Sequence, residues 1–185
     1  MATDAPPPSR TLSLAQQRES LWADPRQHVY ALMLAAKLPG LRERLADADV
    51  DDWDVLWTGE LEDDERAVAP LLVTLKRESA FTDWAFTDAA QSADGWGALA
   101  LSTLPFLAMR THGRGLCKAR LPNGQAIRVD WMDPAVMEAL LAVSEPDQLQ
   151  RVYSGFNALI TLGAGRWTHW SADGAQLRRQ VTVVT

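Results

Sequence analysis

The sequence predicts a mixed α/β (α+β) domain: a central sheet flanked by helices, a helical C-terminal section and a terminal hairpin. Three observations carry this. The apolar runs His28 to Ala36 and Pro70 to Leu75 are continuous rather than alternating, as in strands covered on both faces. Segments with apolar residues at helical spacing separate them. Asn123-Gly124 and Asp173-Gly174 mark tight hairpin turns, since Asn-Gly and Asp-Gly accept positive φ at little cost.

Taken in order, residues 1–12 form a proline-rich disordered tail, because Pro6, Pro7 and Pro8 permit neither helix nor central strand. Ser13 then caps a helix whose apolar side is Leu14, Leu21 and Trp22, and which Pro25 ends. HVYALMLAA (28–36) is the first buried strand, with a helix as the rival reading. Pro39-Gly40 breaks the chain before a short charged helix, Leu41 to Ala48. Alternation in WDVLW puts Trp53, Val55 and Trp57 on one strand face. The acidic stretch that follows reads as a solvated loop, and Pro70 must stand at the start of its strand to spare the ladder.

Ser79 caps a helix to Ala90, which exits through Ser92-Ala-Asp-Gly95. Trp96 to Leu101 is a strand, and Thr103 caps a helix that begins near Pro105 and bears Arg110, His112 and Arg114. Leu116 to Met132 is a hairpin. Asp133-Pro134 opens a helix with Val136, Met137, Leu140 and Leu141 at core spacing. Ser144-Glu-Pro-Asp147 has the form of a capping box opening another, with Leu149, Val152, Tyr153 and Phe156 as its stripe. Trp167 to Ser171 and Gln176 to Val184 pair last. The organisation is therefore a domain over 13–171, with an α/β lobe at about 28–134 and a helical section at about 135–162, then a hairpin at 163–185.

Composition narrows the function. No apolar run reaches the roughly 20 residues of a spanning helix, and Met1 to Arg10 lacks the apolar core of a signal peptide, so a cytoplasmic protein that does not enter membranes is expected. A single cysteine, Cys117, makes neither an internal disulfide nor a CxxC pair; it reads as a small buried hydrophobe, with a catalytic thiol as the alternative. The net charge of -6 argues against nucleic acid as a general partner, but it hides an asymmetry. Ten of the 24 acidic residues lie between Asp47 and Glu65, whereas Gly95 to Val129 contains none and carries Arg110, Arg114, Lys118, Arg120 and Arg128.

Catalytic and metal signatures fail at named residues. His28, His112 and His169 come without paired His or clustered Cys, and the acidic stretch lacks the spacing of a calcium loop, so no metal site is expected. The glycine pairs at 95/97, 113/115 and 163/165 extend to no phosphate-binding fingerprint, and no GxSxG elbow is present. Asp130 and Asp133 are paired carboxylates without a pattern that assigns them acid/base work. A non-enzymatic protein that needs no cofactor is the leading expectation, and a small hydrolase or nucleotide-binding enzyme with an unfamiliar site is the alternative. The basic residues read as a solvated face, an internal counterpart of the acidic stretch, a protein-binding patch or a phosphate-contacting arm. Of the eight tryptophans, Trp96, Trp131, Trp167 and Trp170 stand at strand positions where an indole can face outward as a partner anchor.

The succession HVYALMLAA, WDVLWTGE with its acidic stretch, PLLVTL, Trp96-Gly97, His112-Gly-Arg114, LPNG and WMDPAVMEALL resembles the type VI secretion effector adaptor family, long catalogued as a domain of unknown function. The resemblance covers about Val29 to Ser171. His112 and Arg114 match the family's His and Arg, Leu121 to Gly124 its turn, and Asp133-Pro134 its Asp-Pro. Leu34, Asp130 and Ala135 depart from its usual residues. The resemblance implies a cytoplasmic chaperone that holds a secreted effector, or toxin, and helps join it to the spike protein (VgrG-type or PAAR-type). The residues expected to meet a partner are Trp96, Arg110, His112, Arg114, Lys118, Arg120, Trp131 and Asp133.

Overall fold

A computed structural model describes residues 10–91, 95–163, 165–174 and 176–185. All three prolines of the expected tail, Pro6, Pro7 and Pro8, and the Ser92 to Asp94 helix exit lie outside those residues. The fold is built on an eight-stranded sheet in which one inner strand, β2 (His28–Met33), is apolar on both sides. Val29, Ala31 and Met33 enter one core, and Tyr30 and Leu32 the other. That two-sided burial is why the run does not alternate, and it excludes the helical reading.

Antiparallel to β2 lie β4 (Leu71–Thr74) and β5 (Gly97–Ser102), and β3 (Trp53–Val55) pairs with β4 at the edge. On the other side β5 pairs with β8 (Ala158–Gly163), which pairs with β9 (Arg166–Asp173) and then β10 (Gln176–Val184). The outermost strand, β1 (Arg10–Leu12), lies parallel to β10 with Arg10 opposite Thr182. The expected terminal hairpin is thus part of the central sheet. Arg10 to Leu12, expected to be disordered, are paired because the ladder edge of β10 offers them backbone partners.

Helices cover both faces. α1 (Leu14–Leu21), α2 (Leu41–Ala46) and α4 (Ala80–Phe86) bury Leu21, Leu41, Leu45, Phe81 and Phe86 in the first core. α5 (Phe106–Leu116), α6 (Pro134–Val143) and α7 (Pro146–Tyr153) bury Met109, Met137, Leu141 and Leu149 in the second. Ser13 and Ser79 cap α1 and α4 as their positions predict, each accepting a backbone N–H three residues on.

Several expectations need correction. The acidic stretch is not all loop: α3 (Asp63–Val68) forms there, since Glu62 and Glu65 close a reciprocal capping box and three carboxylates sit at the positive end of the helix dipole. Pro105, not Thr103, is the N-cap of α5. Glu145 rather than Ser144 opens α7, with Gln148 as its reciprocal partner, and Ser144 instead ends α6. The helical section stops at Tyr153. Beyond it Phe156 is buried from a loop, and β-branched Ile160 and Thr161 continue the sheet as β8. β6 (Lys118–Arg120) and β7 (Ala126–Arg128) make the expected hairpin as a separate two-stranded sheet, with Gly124 at the positive φ its turn requires.

Candidate functional site

The acid-free stretch and the acidic stretch meet along α5. Arg110 and Arg114 are four residues apart, so they share one side of the helix, and both reach Asp54 of β3, at 2.6 and 3.2 Å. Arg114 also donates twice to the Val55 carbonyl, at 3.0 and 2.7 Å. Arg128 of β7 pairs with Glu65 at 2.5 Å and stacks over the Trp57 ring. Glu65 is consequently held below the usual carboxylate range, first by the Arg128 guanidinium and then by the Glu62 N–H. These three arginines are internal counterparts of the acidic stretch.

His112 faces the opposite way. Its Nε2 lies 2.9 Å from the Val152 carbonyl, and its ring meets Phe156 edge-on at 4.8 Å. Gly155 makes room for it: a Cβ there would stand 2.3 Å from the imidazole. Burial holds His112 below its ordinary pKa, and the nearby Arg151 adds to the effect against the pull of the Val152 carbonyl. The ring is a packing element that ties α5 to the end of α7.

Trp96 is fully buried and donates its indole N–H to the Ala85 carbonyl at 2.8 Å, so it presents no surface. Trp131, also buried, packs on Phe156, and its indole N–H approaches the Cys117 thiol without closing a hydrogen bond of normal geometry. Burial pushes that thiol up to about 12, so it stays protonated and unreactive. Asp133 caps α6 by accepting the Ala135 N–H at 2.9 Å and pairs with Lys37 at 2.8 Å. Burial opposes its charge, but the Lys37 ammonium and the Ala135 N–H hold its pKa below the usual range. Asp130, by contrast, is raised by burial, against a hydrogen bond from the Trp57 indole N–H at 3.2 Å.

Of the eight residues singled out, Lys118 and Arg120 remain outward on the hairpin. They border a groove of about 760 Å³ between the hairpin, the end of β3 and α7. Its floor includes Leu56 and Cys117, and its rim carries Lys118, Arg120, Arg128 and Arg151; among the described residues no carboxylate lines it. Sequence reasoning missed Arg151, because nothing local in PDQLQRVY announces that α7 packs beside the hairpin. Among the described residues no three His, Cys, Asp or Glu side chains gather as a metal-binding set.

Next to this groove α6 carries a second surface. Its inner side buries Met137 and Leu141, yet its outer side exposes Ala139, Leu140, Ala142 and Val143, with Leu140 44% and Val143 75% exposed. Glu138 is the only charge in the helix. An apolar pocket of about 90 Å³ opens beside Leu140, walled by Leu116, Trp131, Met137 and Val152. Leaving such side chains in water costs about 25 cal/mol per Å² that a partner would recover by covering them.

A family model described as a domain of unknown function (DUF4123) matches residues 29–151. No curated protein and no solved structure matches the chain.

Proposed function

The chain belongs to the DUF4123 family over residues 29–151, and from that premise we propose that it is a non-enzymatic adaptor that binds a type VI secretion effector in the cytoplasm and helps load it onto the secretion spike. The observation that carries the reading is α6. A helix built as PAVMEALLAV with apolar residues on both sides buries one side in its own core and offers Leu140, Val143 and the adjoining pocket to another protein. The ordered resemblance from Val29 to Ser171 supplies the kind of partner. Further support comes from three titratable residues: His112, Asp133 and Cys117 are each committed to packing, capping or burial.

Co-expression with the toxin encoded beside it tests the proposal. The expected result is a complex stable through size-exclusion chromatography, weakened by the pair Leu140→Ser and Val143→Ser while the thermal midpoint of the free protein stays unchanged. Absence of co-elution with both toxin and spike protein sinks it.

A further inference from the structure

We infer that the groove between the β6–β7 hairpin and α7 is a docking site for an acidic, extended segment of a partner polypeptide. The adaptor proposal supplies the identity of that partner; the chemistry of the groove stands on the residues alone.

The hairpin breaks a rule that ordinary strand pairs obey. Lys118 lies directly opposite Arg128 in the ladder, and Arg120, two residues along β6, shares the same face. Like charges across a pair are destabilising, so three cations on one face of a two-stranded sheet weaken it unless something negative lies over them. Glu65 answers Arg128 alone. Among the described residues Lys118, Arg120 and Arg151 meet no carboxylate within ion-pair distance, although the protein has a net charge of -6. The Arg120 guanidinium reaches only the Gly124 carbonyl of its own turn, at 2.8 Å.

The groove's form selects the occupant. Its volume of about 760 Å³ is on the scale of a short peptide segment rather than a single side chain, with an apolar floor at Leu56 and a polar Gln148 on the wall. Nucleic acid fits less well: the one ring lining the groove, Trp57, is half-buried and already covered by Arg128, which leaves no open face for a base to stack on. A glutamate or aspartate side chain can replace Glu65 at Arg128 cheaply, because that pair is exposed at 42% and 36% and such pairs contribute little.

The test uses the full chain and a fluorescein-labelled glutamate-rich peptide read by fluorescence anisotropy, with a lysine-rich peptide and a single-stranded oligonucleotide as comparisons. The acidic peptide should bind, weaken with added salt and slow amide exchange in the hairpin. The double variant Lys118→Glu and Arg120→Glu should lose about tenfold or more in affinity. Should that variant shift the thermal midpoint, Arg151→Gln carries the same expectation from a helix rather than the hairpin. Undiminished affinity in these variants, no binding at low salt, or tighter binding of the oligonucleotide overturns the inference. The two proposals fail separately. Toxin co-elution unaffected by the double variant removes the groove and leaves the adaptor, and acidic-peptide binding without co-elution does the reverse.

Discussion

At Gly97 a backbone carbonyl occupies the place where any other residue would carry Cβ. That atom would fall 1.9 Å from the Leu32 oxygen, and its φ of +142° disfavours side chains besides. Gly97→Ala should cost about 3 kcal/mol or more, since β5 would have to part from β2; chemical denaturation measures it. The imidazoles give a pH dependence. His112 and His169 are both held below their ordinary pKa by burial, and His169 Nε2 lies 2.7 Å from the Gln17 amide nitrogen, a donor that requires the ring nitrogen to accept. The unfolded chain therefore takes up protons first as pH falls below about 6.5. Their contribution to stability is complete above that value and is lost as pH falls through the folded-state pKa values. Urea midpoints of the wild type should fall more steeply on acidification than those of His169→Gln; parallel slopes would exclude the effect.

Among the elements, α5 is fastened to the sheet edge by charge. Asp54 takes Arg110 and Arg114 together, and all three are about 30% exposed. Removing the carboxylate in Asp54→Ala leaves two half-buried guanidinium groups without it, an expected loss of about 1–3 kcal/mol. Asp54→Asn should fall between. A double-mutant cycle with Arg110→Gln checks that the loss belongs to the pair. This is also where sequence and structure part company. Local pattern made β2, α1, α4, α6 and the Asn123-Gly124 hairpin legible, because an unbroken apolar run, helical spacing behind a cap, or a turn dipeptide lies within a few residues. The Asp54 clamp joins residues 56 apart in the chain, and the groove needs α7 to settle beside β6, so charge composition could point to a cationic stretch without saying which cations are consumed internally. The same limit explains β8: ALITLG is apolar enough for either element, and only its neighbours β5 and β9 decide.

For the whole molecule, the sheet separates two cores and two kinds of surface. The face bearing α1, α2 and α4 ties several of its charges into pairs, such as Lys76 with Asp49 and Asp51. The hairpin and α7 keep unanswered cations, and α6 keeps unanswered apolar side chains. Added salt screens the exposed ion pairs of the first face and weakens any anionic partner of the second, while an apolar contact through α6 persists. An adaptor with both surfaces would hold its partner through salt and lose only the register of the contact.

Finally, β1 runs parallel to β10, and just past the ladder Thr185 donates its backbone N–H to the Leu12 carbonyl and accepts the Leu14 N–H. Tension applied between Arg10 and Thr185 pulls two parallel neighbours in opposite directions along their own axes. Their cross-links are then loaded together in shear rather than opened one after another. A pull applied across this ladder would meet a mechanical clasp before it reached the cores.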